Sequence, residues 1–291
     1  WFKCRALEES NGQECGNVVS VTAKNLINKE TNEQEIIKDI AEAWVNSPQL
    51  TIDKTADKYE WSVGDAVSYR IVVNNPVPGT IAREVRISDI GLPEGLILAG
   101  GIQSVEILDV LQEADYPVPD KKTGQMFEKV PVESHLEGDE GGFAFYCSHI
   151  PFNRPVTILF RCMATENANG RESVNEASVQ AGNAPELSDD AEVYINSGEF
   201  WIEKTADHYE WQVGEQVAYT VVVENRREGT IARNVTVWDT SMPSGLILSS
   251  PDSVTVSGIP SSVTQPVPGT ADIPGMLNPE AYNETAEKTV S

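Results

Sequence analysis

The stretch IDKTADKYEW, residues 52–61, returns as IEKTADHYEW at residues 202–211. Lys54 in the first copy and Lys204 in the second each follow apolar residues two and four positions earlier. In a β-strand these positions share one face of the sheet. The parity therefore predicts a lysine that points toward a dry interior, where an unpartnered charge is costly.

An internal repeat contains both copies. With a constant offset the match continues without a gap to Leu98, and more than half of the positions from 51 to 98 are identical in the second copy. The opening FKCRALEESNGQECGNVVSV, residues 2–21, likewise matches FRCMATENANGRESVNEASV, residues 160–179. Long matches at a fixed offset are typical of tandem domains.

These matches divide the chain into three parts. We expect residues 1–48 to be the C-terminal strands of a preceding or complementing repeat, 49–198 a complete repeat, and 199–291 the N-terminal part of a further repeat that lacks its last strands. The linkers near residues 47–50 and 197–200 are short. Neighbouring repeats should therefore form a semi-rigid array.

Short runs of alternating apolar and polar residues dominate each repeat, and Gly, Pro and Asn turns separate them. This pattern predicts an all-β fold of tandem immunoglobulin-like β-sandwich domains. NEQEIIKDIAEAW, residues 32–44, has a helix-like period, but its second half aligns with a strand-like stretch of the other copy. We therefore predict a strand over residues 39–46, preceded by a loop insertion.

The charge balance narrows the classes of partner. The chain has 21 basic and 45 acidic residues, a net charge of −24, which repels phosphate groups. We therefore expect no nucleic-acid binding. No apolar run reaches the roughly 20 residues that a membrane-spanning helix needs, so we expect no membrane insertion in this segment.

The same parity places two more polar residues on buried faces. Asp89 ends the alternation of VRISD, residues 85–89, and Asn175 begins that of NEASV, residues 175–179. An isolated lysine, aspartate or asparagine in a core is destabilising. We therefore expect Lys54, Asp89 and Asn175 to contact one another.

Such a cluster has two interpretations. One is a buried ion pair with an amide hydrogen bond. The other is covalent: burial lowers the pKa of the lysine and raises that of the aspartic acid, leaving a neutral amine and a protonated carboxyl beside the amide. The amine can then attack the asparagine carbonyl while the acid moves protons, which releases ammonia and leaves an isopeptide bond.

The motifs KTAD…Y…VGD.V.Y.I.V.N, A..V.ISD.GLPEGL and N.ASV occur in order within residues 54–179. They resemble the immunoglobulin-like repeats of bacterial cell-surface proteins called "conserved repeat domain" or domain of unknown function eleven. That family is related to adhesin and pilin domains with internal lysine–asparagine bonds. The resemblance implies that Lys54 is the amine, Asn175 the amide and Asp89 the acid. Asn46 and Asn196 are rival amides of opposite parity.

The two partial repeats, residues 1–48 and 199–291, divide an equivalent lysine, aspartate and asparagine between them. Lys204 and Asp239 have no asparagine within 199–291 that matches Asn175, whereas Asn17 has no lysine within 1–48 that matches Lys54. The two fragments could complete each other by strand addition, within one chain or head to tail in a filament. Alternatively, the ends of the chain simply fall in the middle of a domain.

The four cysteines form no CxxC pair. Cys147 and Cys162 lie in two candidate strands, FAFYC and VTILFRC, joined by the turn-prone HIPFNRP, which favours a cross-strand disulfide in an oxidising compartment. Two buried free thiols are the alternative. Cys4 and Cys15 form a weaker candidate pair, and Cys4 could instead serve the junction between fragments.

Three histidines, His135, His149 and His208, lack the spacing of metal ligands, and no nucleophile or phosphate-binding motif is present. We predict no turnover enzyme, no metal and no cofactor. The expected function is an extracellular structural stalk or fibre at the cell surface or envelope, whose partners are neighbouring repeats or copies of itself. The alternatives are an adhesin that binds host protein or glycan, and accessory repeats of a secreted hydrolase.

Overall fold

A computed structural model describes residues 1–31, 33–117, 127–239, 243–250 and 253–259 of the chain. The regular secondary structure of this part consists of β-strands and three short 3₁₀ turns, which confirms the predicted all-β class. Its strands, in chain order, are β1 Glu14–Ile27, β2 Gln34–Trp44, β3 Thr51–Ala56, β4 Glu60–Trp61, β5 Ala66–Asn74, β6 Ile81–Ile90, β7 Leu96–Leu98, β8 Glu106–Leu108, β9 Glu113–Pro117, β10 Phe127–Pro131, β11 Ser134–Asp139, β12 Gly142–Pro151, β13 Val156–Ala164, β14 Arg171–Ala181, β15 Ala184–Ile195, β16 Phe200–Ala206 and β17 Tyr219–Asn225. Short 3₁₀ turns occupy Glu8–Ser10, Ile102–Ser104 and Glu166–Ala168.

By backbone contacts the chain divides into two compact units. The first comprises residues 1–57, 66–163 and 174–191, and the second comprises 58–65, 164–173 and the described residues from 192 onward. The part of the predicted third segment from residue 260 to 291 lies outside the described residues.

Two sheets form the core of the first unit. One has the order β11-β12-β6-β14-β15, and the other has the order β3-β5-β13-β7, with β8 also paired to β13. Side chains alternate between buried and more exposed along β5, as expected for a strand with one face in a core. Phe143 of β12 contacts Phe160 of β13 with ring centroids 5.0 Å apart. The two sheets therefore pack face to face as a β-sandwich.

Strands β1 and β2 form a long antiparallel hairpin in which Glu14 lies opposite Trp44. The strand predicted over 39–46 thus begins earlier, at Gln34, and ends at Trp44. The predicted loop insertion shortens to the turn between the strands, where the Asn28 amide donates to the Glu33 carbonyl. The helix-like period fails because every second side chain, not every third or fourth, lies on one face of this ribbon.

In the second unit, the end of β15 pairs in parallel with β4, so that Tyr194 lies opposite Glu60. Strands β16 and β17 form an antiparallel hairpin in which Lys204 lies opposite Val221. Most side chains of this hairpin are exposed.

The predicted disulfide between Cys147 and Cys162 is absent from the structure. Strands β12 and β13 lie in different sheets, because the turn between them carries the chain across the sandwich. Cys147 lies opposite Val85 of β6, and Cys162 lies opposite Val67 of β5. Both are buried free thiols, the alternative interpretation of the sequence.

Cys4 and Cys15 also lie in the described part of the chain, and both are exposed free thiols. Cys15 lies opposite Ala43 on the β1–β2 hairpin, whereas Cys4 precedes the first strand. The weaker candidate disulfide is therefore not formed. Among the described residues, no helix has both the length and the apolar character needed to cross a membrane.

Candidate functional site

Three strands position the polar side chains that parity assigned to buried faces. Lys54 lies on β3 opposite Ile71 of β5, and Asp89 lies on β6 opposite Phe143 of β12. Asn175 lies on β14, the other neighbour of β6. All three are buried, and the side chains of Lys54 and Asp89 have 0% of their surface exposed. Lysine and aspartate thus come from opposite sheets and meet inside the sandwich.

Lys54 and Asn175 both donate a hydrogen bond to the same carboxylate oxygen of Asp89. Lys54 Nζ lies 2.6 Å from Asp89 Oδ2 and donates to it. Asn175 Nδ2 donates to the same Oδ2 atom at 3.3 Å. The other oxygen, Asp89 Oδ1, is buried without a hydrogen-bond partner among the described residues. An unsatisfied buried carboxylate oxygen is costly, and protonation of that oxygen would reduce the cost.

Aromatic rings enclose the amine. Lys54 Nζ lies 5.4 Å from the centroid of the Tyr69 ring and 5.8 Å from that of Phe160. The two rings stack at 5.2 Å, and Phe143 meets Phe160 edge-on. These rings offer the amine weak cation–π attraction and exclude water from around it.

Burial shifts both ionisable groups toward their neutral forms. Desolvation lowers the pKa of Lys54, against the opposing attraction of Asp89. Desolvation also raises the pKa of Asp89, against the attraction of Lys54 and the hydrogen bond from Asn175. A neutral amine is a nucleophile, and a protonated carboxyl is a proton donor. Each pKa shift therefore increases the fraction of the protonation state that an amine–amide condensation needs.

The Asn175 amide has a simple route to the reactive arrangement. A half-turn about its last side-chain bond exchanges the amide nitrogen and oxygen. The amide oxygen could then accept a hydrogen bond from a protonated Asp89, which would polarise the carbonyl carbon toward attack. The pairing of β14 with β6, seen at Ser178 opposite Ser88, holds Asn175 beside that carboxyl group.

The second copy has the same ion pair in a different environment. Lys204 Nζ lies 2.5 Å from Asp239 Oδ2 and 4.9 Å from the Tyr219 ring centroid. The two side chains are 41% and 47% exposed. Asn17, the proposed amide partner, is exposed on β1 opposite Ala41. These are solvated half-sites, in contrast to the dry cluster at Lys54.

The rival amides do not lie at this cluster. Asn46 exchanges two hydrogen bonds with the backbone of Ile81, and Asn196 exchanges two with the backbone of Ile231. Their opposite parity directs both side chains away from the core. Asn175 is therefore the amide that the structure places beside Asp89.

Sequence reasoning missed several neighbours of the cluster. Cys162 is fully buried there, and desolvation together with the nearby Asp89 raises its pKa to about 12. The Lys54 backbone N–H donates to Asp189 Oδ2 at 2.6 Å, which ties β3 to β15. Alternation in YRIVV, starting at Tyr69, could have identified the aromatic wall, but no sequence signal pairs Asp189 with β3.

The structure offers little for a metal. Within the described ranges, no three His, Cys, Asp or Glu side chains gather as metal ligands would. His135 stacks on the Tyr146 ring at 4.5 Å, and His149 Nδ1 lies 2.9 Å from Ser148 Oγ. Each of these histidines thus has a local partner.

No protein-family model matches the chain, and no curated protein matches it. Membership of the conserved repeat domain family therefore stays a prediction. Among solved structures, the full-length major pilin SpaD from Corynebacterium diphtheriae is 15% identical, with 58% of this chain and 40% of that chain covered and a TM-score of 0.32. The pilus backbone RrgB from Streptococcus pneumoniae is 18% identical, with 60% and 48% covered and a TM-score of 0.33.

A DUF4466 family protein from Parabacteroides merdae is 13% identical, with 55% of this chain and 49% of that chain covered and a TM-score of 0.30. In each of these three matches, the chain spans less than half the length of the matched structure. Every one of these TM-scores is below 0.5, so the three matches carry no argument about function.

Proposed function

We propose that the chain is part of an extracellular structural stalk or fibre built from immunoglobulin-like repeats, and that an isopeptide bond between Lys54 and Asn175 seals its complete repeat, residues 49–198. One observation carries the proposal. A lysine, an aspartate and an asparagine from three strands meet in the buried core, with Asp89 Oδ2 between the amine and the amide.

The reaction balances without a cofactor. Neutral Lys54 Nζ attacks Asn175 Cγ, and protonated Asp89 donates to the amide oxygen as charge develops there. Asp89 then carries a proton from the attacking nitrogen to the leaving one. The Nζ–Cγ bond forms, the Cγ–Nδ2 bond breaks, and one ammonia leaves. The oxidation state of every group is unchanged.

A bond at this place suits a protein that bears load. Lys54 lies on the first strand of one sheet and Asn175 lies on a strand of the other, so the crosslink would join the two halves of the sandwich. It would also replace a buried amine, which can take up a proton and a positive charge, with a neutral amide that does not. Non-covalent packing yields under sustained force, whereas a covalent tie between sheets does not.

Intact-mass spectrometry of the reduced and denatured chain tests the proposal. The wild-type chain should be lighter than its sequence by one ammonia through this site, and Lys54→Met and Asn175→Ala should each abolish that loss. Lys58→Met is the matched control, because Lys58 lies in the same stretch with 54% of its side chain exposed. An unmodified wild-type mass would show that the cluster is only a buried ion pair with an amide hydrogen bond.

We extend the proposal to the half-sites, as partners in copies of the same chain. Asn17 lies on the β1–β2 hairpin, where the nearby Val19 is 62% exposed. Lys204, which pairs with Asp239, lies on the β16–β17 hairpin, where Ile202 is 63% exposed. Val19 and Ile202 align with Ala177 of β14 and Ile52 of β3, and Ala177 is buried in residues 49–198. Strand addition from a second copy would exclude water from the Lys204–Asp239 ion pair and place Asn17 beside it.

This extension has its own readout. Bonds between copies would appear as a ladder of covalent oligomers on a reducing, denaturing gel. Lys204→Met should remove the ladder, and Lys54→Met should leave it. A single band at the monomer position would contradict completion between copies and leave the Lys54 bond to be judged by mass alone.

A further inference from the structure

Both places where one repeat follows another contain the same asparagine bridge. At the first, Asn46 Nδ2 donates to the Ile81 carbonyl at 3.0 Å, and Asn46 Oδ1 accepts from the Ile81 amide at 2.8 Å. At the second, Asn196 Nδ2 donates to the Ile231 carbonyl at 3.1 Å, and Asn196 Oδ1 accepts from the Ile231 amide at 2.8 Å. Each asparagine thus satisfies both backbone groups of one residue in the following repeat.

An aromatic side chain reinforces each bridge. Trp44 Nε1 donates to the Gly79 carbonyl at 3.2 Å. Tyr194, which occupies the equivalent place, donates its hydroxyl to the Gly229 carbonyl at 2.5 Å. The donor changes from an indole to a phenol while the acceptor stays the same. Two different donor groups thus make the same contact at the two places. An accidental contact would not be expected to recur in this way.

Glycines allow the backbones to approach. A Cβ atom on Gly79 would lie 2.1 Å from the Gly12 oxygen, and one on Gly229 would lie 2.0 Å from the Gly170 oxygen. The four residues also have positive φ angles of 71–78°, a region that disfavours side chains. Only glycine fits both the space and the backbone conformation at these positions.

The end of each preceding repeat is rigidly built. Asn11 Nδ2 donates to the Ser47 carbonyl at 2.8 Å, and Asn11 Oδ1 accepts from the Ser47 amide at 2.9 Å. Asn169 makes the same two bonds with Ser197, at 3.0 and 2.9 Å. An Asn-Gly turn is therefore tied to the first residue of each linker, which fixes the bridging asparagine one position earlier.

The loop that receives the bridge is braced in the same way in both repeats. Asn75 Nδ2 donates to the Thr80 carbonyl at 3.0 Å, and the Thr80 hydroxyl donates to the Val77 carbonyl at 2.9 Å. Asn225 and Thr230 repeat these bonds at 3.0 and 2.9 Å. The receiving loop is thus held in shape by its own repeat, before any bridge forms.

We propose that these parts form a docking joint, by which each repeat binds the next copy of itself in one fixed orientation. The asparagine joint comprises the Asn-Gly turn, the aromatic residue and the bridging asparagine of one repeat, together with the braced loop of the next. Its partner is another repeat of the same kind, joined in tandem. Each joint lies within one of the two compact units.

The joint restrains the orientation of a following repeat, which the linker alone does not fix. A linker of a few residues limits how far a following repeat can move, but by itself it does not fix the orientation of that repeat. Two directional hydrogen bonds to one backbone residue, a third to a glycine carbonyl and a glycine-to-glycine contact restrain that orientation. The inference rests on the stalk role proposed above, but it requires no isopeptide bond.

Amide hydrogen exchange on the full chain tests the joint. The Ile81 and Ile231 amides donate to the bridging asparagines, so both should be protected in the wild-type chain. Asn46→Ala should speed exchange at Ile81 about tenfold, the loss expected for one or two hydrogen bonds, and leave Ile231 unchanged. Asn196→Ala should do the reverse, so each joint serves as the control for the other.

A further control and a second readout complete the experiment. Asn25→Ala alters an exposed asparagine of β1 and should change neither amide. In ¹⁵N relaxation, the β1–β2 hairpin should tumble with residues 49–198 in the wild-type chain and gain independent motion in Asn46→Ala. Unprotected wild-type amides, or protection and tumbling that Asn46→Ala leaves unaltered, would overturn the joint. The ammonia loss would be unaffected by that result, so the two proposals fail separately.

Discussion

Lys54 Nζ and Asp89 Oδ2 lie 2.6 Å apart, and neither side chain has any exposed surface. The equivalent pair, Lys204 and Asp239, is 2.5 Å apart but nearly half exposed. Nearly the same contact therefore exists in two environments within one chain. Desolvation shifts the pKa values of the Lys54 pair toward its neutral forms, so the proposed reaction would depend on the surrounding core as well as on the residues themselves.

Removing the acid should stop the crosslink without removing its two ends. In Asp89→Asn the amine and the amide remain, but no carboxyl group can move protons between them. We expect bond formation to slow by about 10² to 10⁴-fold, the usual contribution of a general acid–base group. The measurement is the time course of ammonia loss after refolding, by intact mass.

Asp53→Asn is the control for that experiment, since Asp53 is exposed on the neighbouring position of β3. It should form the bond at the wild-type rate. A wild-type rate in Asp89→Asn would show that the carboxyl group only positions its neighbours.

Preventing the crosslink should destabilise the complete repeat. A bond from Lys54 to Asn175 closes a loop of more than 100 residues, and the chain-entropy model gives about 5 kcal/mol for a loop of that size. Asn175→Ala should lower the free energy of unfolding by at least that amount, because it also deletes a buried hydrogen bond. Urea unfolding of the full chain measures the change.

A double variant separates these contributions. Once Asn175→Ala has removed the bond, adding Lys54→Met can cause no second loss of crosslinking. The two effects should therefore be strongly non-additive in a double-mutant cycle. Additive effects would contradict a bond between the two residues.

Under force applied to its two ends, the crosslinked chain should extend to a shorter contour length than a chain without the bond. In the sealed repeat, the residues between Lys54 and Asn175 cannot extend, because the force passes through the bond. Without it, the same segment would add about 400 Å of contour length at about 3.4 Å per residue. Single-molecule stretching of the wild-type chain and Lys54→Met should differ by that increment, and equal extensions would exclude the bond.

Cys162 should make the stability fall in alkaline solution. Its thiol keeps its proton up to about pH 12 when folded, against an ordinary pKa of 9.0. Between these values the folded state binds more protons than the unfolded state, so stability falls as pH rises, by up to about 1.4 kcal/mol per pH unit. Cys162→Ser should flatten the slope of unfolding free energy against pH, relative to the exposed Cys15→Ser. Identical slopes would contradict the buried thiol.

Strand parity was the strongest guide that the sequence offered. A period of two places a side chain on one face or the other, so the inward direction of Lys54, Asp89 and Asn175 could be predicted without knowing which strands pair. The identity of the neighbours could not be predicted in the same way. Asp189 bonds to the Lys54 backbone from a residue far along the chain, and only the sheet order brings it there.

The failed cysteine prediction has a clear physical cause. Two strands joined by a short, turn-rich segment usually form a hairpin, and Cys147 and Cys162 would then be near each other. In this sandwich the segment crosses between sheets instead. The sequence signals of a tight turn and of a crossing loop overlap, so local chemistry cannot distinguish them.

Asn46 and Asn196, the rival crosslink amides, contact the backbone of the following repeat instead of the Lys54 cluster. Both lie near the repeat ends, and their parity is opposite to that of the core-facing residues beside them. The same parity directs them outward, to the backbones of Ile81 and Ile231.

Residues 49–198 contain both halves of the proposed joint, with a braced loop at Asn75–Thr80 and a bridging asparagine at Asn196. Duplicating its coding segment in frame would therefore create a new unit that already matches its neighbours on both sides. A lineage could lengthen such a protein in single genetic steps, without first inventing an adaptor for each addition.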